Sequence, residues 1–105
     1  MLVEAEKVQH MTLINDALGY YIKSFDINGH EKYIEVKYST RGEDSDFIFT
    51  EKEMVNVSTL ENYFLYRVFN FDFETSTGHI YIIDCNKDFN SKFSYWPVVY
   101  RVRPT

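Results

Sequence analysis

The sequence predicts a mixed α+β domain with an N-terminal helix, a mixed central sheet of about five to six strands and a short second helix. Three observations carry that expectation. Nine Phe and nine Tyr, many of them alternating with other apolar residues, favour strands. The opening residues instead carry apolar side chains at helical spacing, and a Thr-x-x-Glu capping box stands between two strand-like runs. A chain of 105 residues is one domain, 1–105, and at this size about two-thirds of the unfolded surface can be buried.

Leu2, Ala5, Val8, Met11, Ile14 and Leu18 share one helical face, and Gly19 follows as a terminator, so the spacing predicts a helix over 2–18. Tyr20 to Asp26 reads as a strand, Asn28-Gly29 as a turn, and Glu31 to Ser39 as the returning strand. The polar run Thr40 to Asp46 is a loop, Phe47-Ile48-Phe49 a short strand, and Thr50-x-x-Glu53 starts a helix over 51–57. Tyr63 to Phe71 is apolar on both faces except at Arg67, which places that strand inside a sheet. His79 to Asp84 pairs with it across the Glu74–Gly78 turn. Cys85 to Trp96 reads as a connector, and Val98 to Arg103 as a last strand that Pro104 ends.

Charge narrows the function. Sixteen acidic and eleven basic residues leave a net charge of −5, which opposes whole-surface attraction to nucleic acid and leaves only local basic contacts. The single Cys85 has no disulfide partner in the chain and reads as a buried small residue. No signal peptide opens the sequence, and no apolar run approaches the ~20 residues that cross a bilayer, so a cytoplasmic protein without membrane attachment is expected. His10, His30 and His79 lack ligand spacing. Asp84-x-Asn86-x-Asp88 begins like a calcium loop, but Phe89 stands where Gly is needed. Tyr20, Tyr33, Tyr63 and Trp96 are aromatic enough to stack on bases, although core packing accounts for most of such residues here.

The run Tyr33-Ile34-Glu35-Val36-Lys37 sets a carboxylate and an ammonium on one face of a strand whose other face is Ile34 and Val36. If Ile27-Asn28-Gly29 is a three-residue loop with Gly29 left-handed, Ile22 faces Ile34, Tyr20 faces Val36 and Tyr21 faces Glu35. Together with Gly19-Tyr20-Tyr21-Ile22-x-Ser24-Phe25, Thr50-x-x-Glu53 and Tyr63-x-Leu65-Tyr66-Arg67-Val68, this run resembles the NO VEIN carboxy-terminal domain family. That family looks like a branch of the PD-(D/E)XK nuclease superfamily and is usually appended to larger ATPase, helicase or restriction-type proteins.

The resemblance implies a restriction-endonuclease-like core. It makes Glu35 a metal carboxylate and Lys37 the catalytic ammonium, and Tyr21 stands where the family has its metal-binding Asp. A neutral phenol contributes little to holding Mg²⁺, so weak or absent metal binding is expected, with Glu35 and Lys37 pairing with each other or with Arg67. Arg67 is a candidate for an ion pair with Glu35 or Glu53, the favoured reading, or for a nucleic-acid phosphate. The expected function is a nuclease-like domain with a degenerate site, serving recognition or interaction in a nucleic-acid-processing or defence system. Its expected partners are nucleic acid, or a protein or fused ATPase, helicase or restriction protein. No cofactor is expected, or Mg²⁺ if the domain is active. The rivals are an active nuclease that takes its second carboxylate from Asp26, Glu4, Glu6 or a second subunit, and an acidic protein-binding module.

Overall fold

The structure is a computed structural model and describes residues 17–98 and 102–105. Strand β1 (Ala17–Phe25) and β2 (Glu31–Ser39) form a hairpin. Helix α1 (Glu51–Thr59) then crosses to β3 (Tyr63–Asp72), β4 (Thr77–Asp84) returns, and α2 (Cys85–Lys92) follows. Among the described residues the sheet has four strands in the order β1-β2-β3-β4, with β2 and β3 parallel and both outer pairs antiparallel.

The turn forms as its residues require. Gly29 takes φ 82°, Gly29 N donates to Asp26 O at 3.0 Å, and Asp26 N donates to His30 O at 2.8 Å. The resulting register pairs Tyr20 with Val36, Tyr21 with Glu35 and Ile22 with Ile34, as the three-residue loop predicts. A two-residue side-chain period then separates the faces. Ile22, Ile34 and Val36 form one cluster with Tyr20, Tyr38, Tyr66 and Val68 around it. Tyr63 and Leu65 join Val57 of α1 and Cys85 and Phe89 of α2 in a second cluster on the opposite face. Glu35 and Lys37 lie on this second face, beneath the helices.

Four expectations change. Residues 2–16 of the expected N-terminal helix lie outside the described residues, and Ala17 and Leu18 belong to β1, where pairing with Ser39 and Tyr38 outweighs the helical period. Phe47–Phe49 forms no strand. Its rings pack instead, Phe49 at 5.2 Å from Phe89 and Phe47 at 5.4 Å from Phe93. The expected connector from Cys85 contains helix α2, whose N-cap Asp84 accepts from Asn86 N at 3.1 Å, so the imitation of a calcium loop is a helix start. Of the expected last strand, residues 99–101 lie outside the described residues, and Val98 and 102–103 carry no strand. Four strands are therefore described where about five to six were expected.

Two asparagines hold the connections. Asn86 Nδ2 donates to Leu60 O at 2.8 Å and Val57 O at 3.2 Å, closing the carbonyl end of α1, whose last turn has no basic residue. Asn70, at φ 51°, marks the register shift between Phe69 and Asp72, and its amide donates to Arg41 O at 2.7 Å. This bulge ties the β2–α1 loop to β3.

Candidate functional site

Glu35 is 2% exposed and Lys37 3% exposed, although a solvated strand face would leave both in water. Alternation along β2 points them at α1, and the N-terminus of that helix meets them. The capping box predicted at Thr50-x-x-Glu53 forms: Glu53 N donates to Thr50 Oγ1 at 3.1 Å, and Thr50 N donates to Glu53 Oε1 at 2.8 Å. The same Glu53 Oε1 accepts from Lys37 Nζ at 2.8 Å in an ion pair whose side chains are almost wholly buried. The Lys37 ammonium also lies 5.3 Å from the Phe49 ring centre.

Glu35 accepts a hydrogen bond from Tyr63 Oη at 3.0 Å, and its carboxyl is in hydrogen-bonding contact with Glu53. Burial, then the Glu53 charge, push the Glu35 carboxyl up to about 8, while Lys37 and Tyr63 pull it down. Glu35 thus keeps its proton at neutral pH and holds it in the contact with Glu53. Tyr63 is itself held protonated by burial and by Glu35. Tyr21, opposite Glu35 in the hairpin, stacks on Tyr33 with ring centres 6.0 Å apart. Burial first, then the neighbouring Tyr33, Glu35 and Glu31, push its phenol up to about 12.

The site residues expected from the sequence are therefore only partly joined. Glu35, Lys37 and Tyr21 share a face, but neither Glu35 nor Lys37 pairs as expected. Lys37 pairs with Glu53, and Glu35 pairs with Tyr63 and Glu53. Arg67, the parallel-register neighbour of Lys37, bonds to neither Glu35 nor Glu53, because its guanidinium reaches the other way, to Ser39 and Ser45. Asp26 accepts from Asn28 N at 2.9 Å and His30 N at 3.0 Å within the turn, at the end of the hairpin beyond the Phe25–Glu31 pair. Glu4, Glu6 and His10 lie outside the described residues. Cys85 is buried, and burial pushes its thiol up to about 12, that of an inert core residue. Tyr63 is buried, while Trp96 is exposed and takes no part in the core. The residue that sequence reasoning placed in the wrong pair is Glu53. Its capping box marked its place at the helix start, but only the crossover sets that start over β2.

The fit to a divalent metal is poor. Lys37 occupies Glu53 Oε1, Glu35 is protonated at neutral pH, and the Tyr21 phenol stays neutral. No group of three or more His, Cys, Asp and Glu able to hold a metal occurs among the described residues. The arrangement is a closed polar core in which one ammonium balances two carboxyl groups.

Gly19 faces Lys37 across the hairpin, and a Cβ there would lie 2.7 Å from Val36 O and 2.8 Å from Lys37 Cδ. Since the first neighbour is backbone, Gly19→Ala is expected to lower stability by about 1–3 kcal/mol in a urea titration. An unchanged midpoint would mean that the hairpin is looser than its register.

Among the described residues no helix is long and apolar enough to cross a membrane. No curated protein and no solved structure matches the chain. The model of one family, Protein NO VEIN, C-terminal, matches residues 2–83, which contain Tyr21, Glu35, Lys37, Glu53 and Arg67. The chain belongs to the NO VEIN C-terminal domain family.

Proposed function

We propose that this domain is a nuclease-like module of restriction-endonuclease-like descent, with a degenerate PD-(D/E)XK centre. It acts in recognition or interaction within a nucleic-acid-processing or defence system, in the cytoplasm and alongside or fused to a larger ATPase, helicase or restriction protein. One observation carries the reading: the residue facing Glu35 across the hairpin is Tyr21, whose phenol stays protonated. The Glu-x-Lys strand keeps its face and its neighbours, including the helical crossover to a parallel β3. The chemistry that would need a second carboxylate at position 21 has none.

Tyr21→Asp tests it. Restoring an acid opposite Glu35 is expected to raise Mn²⁺ affinity by about tenfold or more over the parent chain, measured by calorimetry, since one charge-assisted contact is worth about 1.5–3 kcal/mol. An unchanged affinity in a folded variant would remove the inherited-site reading. Metal-dependent cleavage by the parent chain, abolished by Glu35→Ala and by Glu53→Ala, would instead establish an active nuclease with Glu53 as its second carboxylate. Absence of oligonucleotide binding even at low salt would leave a protein-binding module.

A further inference from the structure

Arg67 is 0% exposed, and among the described residues no carboxylate pairs with it. Its Nη1 donates to Lys37 O at 3.2 Å and Val68 O at 2.9 Å. Nη2 donates to Ser39 Oγ at 3.0 Å and Ser45 Oγ at 2.9 Å, and Nε has no hydrogen-bond partner. The Phe47 ring covers the group at 4.9 Å, and the Tyr81 phenol of β4 is in hydrogen-bonding contact with the guanidinium. A guanidinium removed from water usually meets a carboxylate or phosphate, because neutral dipoles repay little of its lost hydration.

The unpaired atom decides which edge is unfinished. Nε–H and one Nη2–H project in parallel from one side of a guanidinium, the side that takes an oxyanion through two bonds. Here Nε–H is unpaired on that side, and the two Nη2–H bonds, one of them on that side, go to the hydroxyls of Ser39 and Ser45. Hydroxyls accept from arginine but also donate to an anion when they rotate. Ser39 is fixed on β2. Ser45 comes from the loop over 40–46, where its hydroxyl donates to Gly42 O at 2.7 Å and its amide to the same oxygen at 3.1 Å. The Asn70 amide pins the near end of this loop at Arg41 O.

We infer that Arg67, Ser39 and Tyr81 form a phosphate-binding site that Ser45 caps with a displaceable hydroxyl. This deepens the recognition reading and rests on it only for the source of the phosphate, a nucleic acid. Other charged groups among the described residues bear on the site. Glu43 acts on Tyr81 from the same loop and opposes an anion, while Lys37, the register partner of Arg67, is engaged by Glu53. Asp44 and Asp46 are exposed on that loop.

The test uses the full chain at constant ionic strength, with inorganic phosphate, a 5′-phosphorylated oligonucleotide and its unphosphorylated twin as probes. Binding is read from amide chemical shifts and from Tm. Ser45→Asp places a tethered carboxylate beside Nη2 without disturbing Arg67. It is expected to raise Tm and to weaken phosphate binding by about tenfold or more, while Glu43→Gln tightens it. Equal phosphate responses in the parent and Ser45→Asp would be the general stabilisation that such salts give any protein, and would overturn the site. A fall in Tm for Ser45→Asp would overturn it as well. Phosphate binding that Ser45→Asp removes, with no binding of either oligonucleotide, would keep the site and overturn the nucleic-acid source.

Discussion

Glu35→Gln is expected to stabilise the domain increasingly as pH rises from about 4.5, with the full gain reached above about pH 8, and to leave it nearly unchanged in mild acid. An ordinary Glu loses its proton near 4.3–4.5, whereas in the folded chain burial and the Glu53 charge hold the Glu35 carboxyl up to about 8. Between those values unfolding releases a proton, so the parent chain loses stability as pH rises through the window, by at most about 1.4 kcal/mol per pH unit, and levels off above it. Glutamine keeps both contacts: its amide donates to Glu53 where the carboxyl proton did, and its carbonyl accepts from Tyr63 Oη. Carboxylates held low elsewhere, such as Glu31 beside Lys23, titrate in both chains and cancel in the difference. Urea titrations of both proteins from about pH 5 to 9 read the effect directly. Parallel pH profiles would mean that Glu35 is charged throughout.

Lys37→Met is expected to cost about 3–5 kcal/mol, the range for breaking a buried ion pair from one side. The Lys37 ammonium sits 2.8 Å from Glu53 Oε1, with 4% of its side chain in contact with solvent against 13% for Glu53. Its loss would leave the Glu53 carboxylate desolvated next to the Glu35 carboxyl and would weaken the start of α1, because the same oxygen closes the capping box. The double variant Lys37→Met with Glu53→Gln is therefore expected to recover a large part of the loss, with a coupling of about 1–3 kcal/mol in a double-mutant cycle. Additive losses would show that the two side chains act independently and would remove the idea of a balanced charge core.

The two experiments bear on function through one question, whether the Glu-x-Lys face is free to act on a substrate. The Lys37 ammonium is committed to Glu53, and burial holds the Glu35 carboxyl up to about 8. The Arg67 edge differs, since its cation has hydroxyls where a counter-ion would stand.

The hairpin, its register, the capping box and the interior place of β3 were legible in the sequence because each depends on neighbours close in the chain: Gly29 for the turn, alternation for the faces, Thr50 and Glu53 for the helix start. The extent of β1 back to Ala17 and helix α2 were not, since the first depends on pairing with Ser39 and the second on an Asp84 cap that also resembles a metal loop. The sequence alone determined which residues share the Glu35 face, including Tyr21. Only the tertiary structure decided which of them meet. The crossover through α1 carries Glu53 onto Lys37, and the loop before it lays Ser45 on Arg67, so the two cations of adjacent strands acquire different partners. Strand alternation sets direction within a sheet, but the partner of a buried charge is set by whatever a long connection brings over it.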